Sequence, residues 1–280
     1  MSQKSYSNNI ATLYIIPTPV GNMEDITIRA LNMLKEVDVI FCEDTRVTKQ
    51  LLNYFNIDKK LISCHKFTEN IKLDKVIEYL NNNHKVGLVS DRGTPIISDP
   101  GYEIAKGVID AGYNVVSLPG ATAFVPALTV SGLVPQPFMF YGFLNSKGSK
   151  RKQELNSLKD LDSTIIFYEA PHRLIEMLND VKEIFGNRQI SISREISKKF
   201  EEVYRGTINE VIEEIGNPKG EFVIVVDGNH ECGDYNDIDI SEHVNIYIRD
   251  GYSVMDAIKK VAKDRSVSKN EIYSIYHKLK

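Results

Sequence analysis

The sequence predicts an α/β protein with two successive α/β domains and a small helical appendage. Short apolar runs alternate with segments whose apolar residues recur at helical spacing, which is typical of sheets covered by helices. A composition shift over 131–137, rich in proline and glycine, separates two such series. The expected divisions are a disordered tail over 1–10, an N-terminal α/β domain over 11–131, a C-terminal α/β domain over 138–229 and a helix-turn-helix-like domain over 240–280.

Composition places the chain among soluble globular proteins. Its 280 residues are 42% hydrophobic and 26% charged, and this length is sufficient for two compact domains. Apolar runs stay well short of the roughly 18 residues that a membrane span requires. The first nine residues are polar and contain no signal-peptide core, so we expect a cytoplasmic protein.

Cysteine content and charge restrict the possible ligands. The three cysteines show no CxxC pairing, which argues against a disulfide framework and a zinc site, and no metal is expected. A net charge of −4 offers no general attraction for nucleic acid, so an RNA partner would need a local basic surface. The best candidate is 145–152, a predicted flexible loop with four cations, although such loops are commonly just solvated surface.

The first predicted strand, Leu13–Ile16, runs into a stiff loop at 17–22 with two prolines and a glycine. The glycine spacing of a dinucleotide fingerprint and the lysine of a P-loop are both missing, so a nucleotide held by its phosphates is not expected here. Asp25 is expected to cap the next helix. That helix has apolar positions at helical spacing, namely Ala30, Leu31, Leu34 and Val37.

Four polar residues, Glu43 to Arg46, follow the second predicted strand, Val39–Cys42. They are consistent with a helix N-terminus, where the helix dipole favours acids. They are equally consistent with a carboxylate and a guanidinium at the mouth of a cleft. Both interpretations remain open at this point.

A rigid loop over 91–101 follows the next strand, and small residues over 119–123 follow the one after it. Gly93 permits the close approach of a ligand or of another backbone. Asp99, or alternatively Ser98, is expected to cap the next helix. Open α/β sheets bind ligands beyond such strand ends, but tight turns and close helix packing explain the same residues.

The second domain repeats this alternation. Glu169–Arg173 follows a predicted strand, with Pro171 suited to the first helical position. His172, a lone histidine in a first helical turn, is more often a capping or surface residue than a catalyst. The remaining predicted strands are 86–90, 115–118, 139–143, 164–168, 189–194, 201–205 (an antiparallel edge strand) and 222–226, and the remaining predicted helices are 72–82, 102–111 and 207–215.

The C-terminal segment is predicted to form short helices. Ser253 with Asp256, and Ser268 with Glu271, have capping-box spacing. Its lysines either keep the helices soluble or contact RNA. The apolar residues expected to pack together are Ala257, Ile258, Val261, Ala262, Ile272, Ile275, Tyr276 and Leu279.

Several of these loops, in order and spacing, resemble the tetrapyrrole methylase superfamily of S-adenosylmethionine-dependent methyltransferases. Within it they are similar to bacterial members that methylate a ribose 2′-hydroxyl of 16S ribosomal RNA. The resemblance spans about 13–228, and several motifs in the correct order are more specific than any one of them. The segments that carry it are 17–22, 24–27, 42–46, 90–95, 98–101, 118–120, 168–173, 194–195 and 219–221.

The resemblance implies two α/β domains with S-adenosylmethionine in a deep cleft between them, in a homodimer. This cofactor has no phosphate, so a backbone cradle suits it better than a P-loop. One departure is Arg92, which puts a long cation where the family usually has alanine. The residues expected to bind the cofactor are Pro17, Gly93, Thr94, Pro95, Ala121 and Thr122 on one side, and Tyr168, Glu169, Gly220 and Glu221 on the other.

The implied activity is 2′-O-methylation of cytidine 1402 in the decoding region of 16S rRNA, within the small ribosomal subunit. A positioned base would add about 100- to 10,000-fold to the rate. Arg46 and Arg173 are suited to holding a phosphate, and a structural ion pair between Glu43 and Arg46 is the competing role. The candidate bases, among which the sequence does not choose, are Asp25, Glu43, Asp44, Glu169 and His172.

Two rival functions remain open. Methylation of a small tetrapyrrole would need no basic surface, and it predicts turnover on a porphyrinoid and none on ribosomal subunits. A non-catalytic ribosome-assembly factor would bind RNA without affinity for S-adenosylmethionine. If the favoured activity holds, replacing Asp44 or Arg46 by alanine is expected to preserve the fold and cofactor binding while transfer is lost.

Overall fold

The computed structural model describes residues 3–5, 7, 10–65, 69–216, 219–230, 238–265 and 267–278. The chain forms two compact units, Met1–Gly228 and Asn229–Lys280. Much of the expected tail over 1–10, and also Cys232 and Leu279, lie outside the described residues. None of the described helices is long and apolar enough to cross a membrane.

A parallel five-stranded sheet forms the first part of the larger unit, in the order β3-β2-β4-β1-β5. Its strands are β1 (Thr12–Ile15), β2 (Val39–Cys42), β3 (Lys60–Ser63), β4 (Val86–Val89) and β5 (Asn114–Ser117), and its helices are α1 (Ile28–Glu36), α2 (Thr45–Tyr54), α3 (Glu69–Asn81) and α4 (Tyr102–Asp110). Helices α1 and α2 pack on one face and α3 and α4 on the other. Burial on both faces explains why β1, β2 and β4 are continuous apolar runs. Because all five strands are parallel, the loops that follow β1, β2, β4 and β5 meet at one edge.

A mixed sheet forms the second part, in the order β6-β7-β10-β8-β9. Its elements are α5 (Phe124–Val130), β6 (Phe138–Phe143), α6 (Gly148–Leu158), β7 (Thr164–Glu169), α7 (Leu174–Phe185), β8 (Gln189–Arg194), β9 (Glu202–Thr207), α8 (Ile208–Ile215) and β10 (Phe222–Val226). Strand β9 is the antiparallel edge strand that the sequence predicts. Strand β10 runs antiparallel to β7 and β8, so Phe222 at its start pairs with Glu169 and Arg194 at their ends. The segment before β10 therefore lies at the same edge as the ends of β7 and β8.

Helix α5 precedes the expected linker but packs on the second sheet. Its Ala127 and Leu128 contact Ile166, Val223 and Val225, on the face opposite the one covered by α6, α7 and α8. Residue 131 therefore does not separate the helices that pack on the first sheet from those that pack on the second. A helix is recognisable from its spacing alone, whereas the sheet that it covers is set by tertiary packing.

Two predicted helix caps are wrong. Thr27, not Asp25, caps α1, because the Ala30 amide donates to the Thr27 hydroxyl oxygen at 3.0 Å. Gly101 occupies the N-cap of α4, where neither Ser98 nor Asp99 makes a capping bond. Instead, the Glu103 amide at the start of α4 donates to the Glu69 carboxylate of α3 at 3.1 Å. Local sequence spacing does not predict a partner so far away in the chain.

The predicted flexible basic loop is also wrong, because helix α6 begins at Gly148. Arg151 is fully buried rather than available to a phosphate, and Lys152 pairs with Glu183 at 2.6 Å. Lys147 and Lys150 remain exposed. Strand β3, which local pattern does not predict, buries only Ile62 and exposes Lys60 and Ser63 at its ends.

The smaller unit consists, in its described part, of α9 (Ile240–Arg249), α10 (Val254–Asp264) and α11 (Lys269–Lys278). The Asp256 amide donates to the Ser253 hydroxyl and the Glu271 amide to the Ser268 hydroxyl, both at 3.2 Å, as the capping-box spacing predicts. Its core contains most of the expected residues: Ala257, Ile258, Val261, Ala262, Ile272 and Tyr276.

Candidate functional site

The loop-bearing edges of the two sheets enclose a cavity of about 330 Å³. A second, more open pocket of about 880 Å³ adjoins it, and Val20, Thr94, Thr122 and Ile196 line both. Both volumes lie in the range of ligand sites for small molecules. The cleft therefore has room for a ligand and for part of a substrate beside it.

Most of the residues expected to bind the cofactor line this cleft. Gly93, Thr94, Thr122, Tyr168, Glu169 and Glu221 line the smaller cavity, and Ala121 lines the open pocket. Three others, Pro17, Pro95 and Gly220, are not among the lining residues of either. Pro17 is buried against Gly120, where an added Cβ would lie 2.5 Å from the Pro17 Cβ. Gly220, with φ +98°, packs on the side chain of Glu195.

Three loops of the first sheet are tied together at the cavity. Thr18 and Gly93 exchange backbone hydrogen bonds of 2.9 and 3.0 Å, and the Thr94 hydroxyl donates to the Ala121 carbonyl at 2.9 Å. Gly93 has φ +77°, which favours glycine. Ile96 (φ 80°) and Ser98 (φ 65°) adopt the same left-handed region without being glycine, which is strained. The loop is thus held in a costly conformation at the cavity wall.

Tyr168 and Glu169, at the tip of β7, form the opposite wall. Burial raises the pKa of Tyr168 to about 12 although amides of Phe124 and Ala123 hydrogen-bond to its oxygen, so the phenol stays neutral. Burial also raises the pKa of Glu169, whose carboxylate accepts from the Ala170 amide at 2.8 Å and from Arg173 at 3.1 Å.

Ala170 and Pro171 of the same motif also line the smaller cavity, but His172 and Arg173 do not line the cleft. The Arg173 guanidinium is turned inward and donates to the Leu144 carbonyl at 2.9 Å as well as to Glu169. His172 is exposed in the turn before α7 and lines neither pocket. The arrangement gives Arg173 a role in holding Glu169 in place.

A group of three carboxyls lies at the tips of β2 and β4. Asp99 lines the smaller cavity, and burial, with repulsion from Glu43 and Asp91, raises its pKa to about 7. Burial likewise raises the pKa of Glu43 and of Asp91. Sequence spacing alone favours Asp99 as a helix cap. The available signal was that acids follow two strands of one sheet, but only the strand order makes β2 and β4 neighbours.

Asp44 and Arg46 lie at the N-terminus of α2, as the interpretation of 43–46 as a helix N-terminus predicts. The Asp44 carboxylate accepts from the Arg46 backbone amide at 2.8 Å and from its guanidinium at 2.6 Å. Hydrogen bonding to Arg46 lowers the pKa of Asp44 to about 2. Arg46 thus pairs with Asp44 rather than with Glu43, and 86% of its side chain remains exposed.

Arg92 spans the mouth of the cavity. Its guanidinium pairs with Glu221 of the second sheet's edge, and Glu221 also pairs with Lys198 at 2.8 Å. Lys198 in turn pairs with Glu195 at 2.9 Å. The long cation at this position therefore connects the two halves of the cleft.

The residues of the cavity fit S-adenosylmethionine. Its sulfonium and ammonium groups are cations, and Asp99, Glu169 and Glu221 supply carboxylates around the cavity. Phe143 and Val223 supply apolar surface for a flat base. The backbone hydrogen bonds between Thr18 and Gly93 hold in place the loop that forms one wall of the cavity.

Gly21 is expected to contribute to cofactor affinity by allowing two loops to approach closely. A Cβ at this position would lie 2.7 Å from the Ile196 carbonyl oxygen, which belongs to the backbone and cannot move without displacing the second wall. Because Ile196 lines both pockets, we expect Gly21→Ala to weaken S-adenosylmethionine binding about tenfold, measured by calorimetry. Gly148→Ala is the control, because its Cβ would meet only ordinary contacts of 3.6 Å or more. Equal affinity of the Gly21 variant and the wild type would contradict this role.

Comparisons with known proteins identify the family of the chain. The family model for Tetrapyrrole (Corrin/Porphyrin) Methylases matches residues 12–212. A protein named ribosomal RNA small subunit methyltransferase I from Bacillus subtilis (strain 168) is 48% identical over 96% of this chain and 95% of its own length. One of the same name from Halalkalibacterium halodurans is 44% identical over 99% of both chains. The crystal structure of uroporphyrin-III-C-methyltransferase from Thermus thermophilus shares the fold, with a TM-score of 0.55 and 18% identity, over 77% of this chain and 94% of that one. The chain therefore belongs to the tetrapyrrole methylase family.

Proposed function

We propose that this protein is an S-adenosylmethionine-dependent methyltransferase that methylates the ribose 2′-hydroxyl of cytidine 1402 in 16S rRNA. The observation that carries the proposal is the cleft, in which strand tips of both sheets surround a cavity with the carboxylates and apolar walls that the cofactor requires. The nearly full-length identity to proteins named ribosomal RNA small subunit methyltransferase I supports RNA as the substrate. The substrate places the reaction in the cytoplasm.

The residues that would hold the cofactor are those of the smaller cavity. When bound, S-adenosylmethionine supplies an electrophilic methyl group on a cationic sulfur. Thr94, Thr122 and Tyr168 would position it, and Glu169, kept in place by Arg173, would favour its positive charge. Alignment of the reacting groups is the largest contribution that such a site makes to displacement chemistry.

Asp99 is the carboxylate best placed to take the proton from the ribose hydroxyl. It lines the cavity, and a pKa of about 7 is close to the operating pH, which is optimal for a general base. Glu169 is occupied by Arg173, Asp44 by Arg46, and Asp25 by a hydrogen bond from Ser197. Glu43 lies beside Asp99 and raises its basicity.

Arg46 would contact a phosphate of the RNA near the target nucleotide, since its guanidinium is exposed. Because Arg46 lines neither pocket, Arg46→Ala is expected to raise KM for small subunits about tenfold rather than to abolish transfer, which is the outcome expected from the sequence alone. Transfer of radiolabelled methyl groups measures KM, and calorimetry should show unchanged cofactor affinity. Asp44→Ala is a less specific test, because it also removes the N-cap of α2 and so lowers the stability of that helix. Unchanged KM for the Arg46 variant would exclude it from the RNA contact.

The protein would act as a homodimer. Edge strand β6 supports this, because Phe138 and Met139 are exposed and nothing in the described larger unit pairs with its outer side. Light scattering at micromolar concentration tests the dimer. If the protein is a monomer, the homodimer is rejected, but the proposed activity is not.

The decisive experiment is mass-spectrometric mapping of 16S rRNA from cells with and without the gene. We expect the ribose methyl group at cytidine 1402 to disappear with the gene and to return when purified protein and S-adenosylmethionine are added to undermethylated subunits. Turnover on a porphyrinoid, with none on subunits, would instead indicate a small tetrapyrrole substrate. Absence of cofactor binding in calorimetry would indicate an assembly factor.

A further inference from the structure

The two most exposed large apolar side chains of the described residues are each next in sequence to a residue that lines the open pocket. Ile28 is 79% exposed and follows Thr27, and Phe200 is 69% exposed and precedes Glu201. Thr27 and Glu201 line the pocket. Large apolar groups next to a functional cleft are typical of contact surfaces for a partner.

The turn that carries Phe200, at 195–201 between β8 and β9, is held rigidly. The Lys198 amide donates to the Glu195 carbonyl at 3.0 Å, and the Glu201 amide to the Lys198 carbonyl at 3.1 Å. The Ser197 hydroxyl donates to Asp25 across the cleft. The turn is thus fixed at both ends, and the exposure of Phe200 is not the result of a loose loop.

The positive charge of Lys199, next to Phe200, favours RNA over other partners of this surface. The Lys199 ammonium lies 5.7 Å from the centre of the Phe200 ring, and within the described part of the chain no carboxylate forms an ion pair with it. An aromatic ring beside an unneutralised cation matches single-stranded RNA, in which a base stacks on the ring and a phosphate meets the cation.

We propose that Phe200 stacks on a nucleobase of the substrate RNA next to the target nucleotide, with Lys199 at the adjoining phosphate. This inference rests on the proposed function and assigns a substrate contact on the rim of the same cleft. It makes Phe200 a positioning residue, because the ring contacts a base that does not react.

The test compares Phe200→Ala and Phe200→Trp with wild type in methyl transfer to undermethylated small subunits. Stacking predicts that the alanine variant raises KM about tenfold and leaves kcat within about twofold, while tryptophan restores KM. Affinity for S-adenosylmethionine and melting temperature should not change. Tyr54→Ala, at an equally exposed aromatic residue on α2, is the control and should have no effect.

Direct binding of subunits, measured without turnover, separates this inference from the proposed function. Wild type that binds subunits without methylating them would reject the function, and the affinity of Phe200→Ala would still report the stacking contact. Equal KM and equal affinity of the alanine variant would overturn the inference. A change in oligomeric state of that variant, with unchanged affinity for subunits, would overturn it in favour of a protein partner.

Discussion

Asp99→Asn is expected to lower kcat for methyl transfer about 100- to 10,000-fold while the protein stays folded and still binds S-adenosylmethionine. Asparagine keeps the size of the side chain but cannot accept the proton of the ribose hydroxyl. Single-turnover transfer to small subunits measures the rate, and calorimetry measures cofactor affinity. A rate within about threefold of wild type would remove Asp99 as the base.

The pH dependence supplies an independent readout. Because only the ionised carboxylate accepts a proton, kcat/KM of the wild type should rise with pH through about 7, and this limb should vanish in Asp99→Asn. Glu43→Gln should move the limb to lower pH, because repulsion from Glu43 helps to raise the pKa of Asp99. Asp25→Asn is the control and should keep the wild-type limb. If kcat/KM of Asp99→Asn still rises with pH through about 7, a group other than Asp99 is responsible for that rise.

Stability should respond to the same carboxyl with a defined sign. The pKa of Asp99 rises on folding from 3.8 to about 7, so the folded state binds the proton more tightly. The resulting stabilisation is complete below pH 3.8 and is lost as pH rises through about 7. Asp99→Asn should therefore gain about 1–2 kcal/mol relative to wild type between pH 4 and pH 8, a figure reduced for partial solvent screening. Urea denaturation at both pH values measures this difference.

Arg151→Met is expected to cause the largest loss of stability, about 3 kcal/mol in the free energy of unfolding. Arg151 is fully buried and donates to Asp180 at 2.6 Å and to Glu176 at 2.7 Å. Methionine fills similar volume but leaves the mostly buried Asp180 carboxylate without its main partner. Urea denaturation at pH 7 measures the loss.

The neighbouring cation provides a matched control. Lys152 lies next to Arg151 on α6 and pairs with Glu183 at 2.6 Å and with Asp180 at 3.5 Å, but 39% of its side chain is exposed, so Lys152→Ala should cost clearly less stability than Arg151→Met. Combining Arg151→Met with Asp180→Leu should cost less than the sum of the single changes, because no charge is then left buried alone. Additive losses, or a Lys152 variant as unstable as the Arg151 variant, would contradict the role of burial.

Local sequence was sufficient for most of the regular elements. Strands β2, β8 and β10 have the predicted limits, and the Ser253 and Ser268 hydroxyls accept the amides three residues on, as their spacing predicts. These features depend on neighbours within one helical turn or one strand, so periodicity and side-chain type describe them adequately. Strand β3 was not predicted, because its short, half-exposed pattern lacks an apolar run.

Errors concentrate where a distant residue decides the environment. The basic stretch beginning at Lys147 resembles a solvated loop, yet Arg151 is buried by acids of α7. Asp25 has the spacing of a cap, yet it bonds to Ser197 across the cleft. Asp99 also has the spacing of a cap, but burial in the cavity wall, together with repulsion from the neighbouring carboxyls of Glu43 and Asp91, raises its pKa.

The amino-acid sequence by itself determined which residues follow most of the strands and, through the order of those motifs, the family and its cofactor. Only the tertiary structure decided which of these residues meet in the cavity, which carboxylates are paired with a cation and which have a raised pKa. The physical reason is that helix and strand formation depends on short-range spacing, whereas burial and charge pairing depend on strand order and on contacts between residues far apart in the chain.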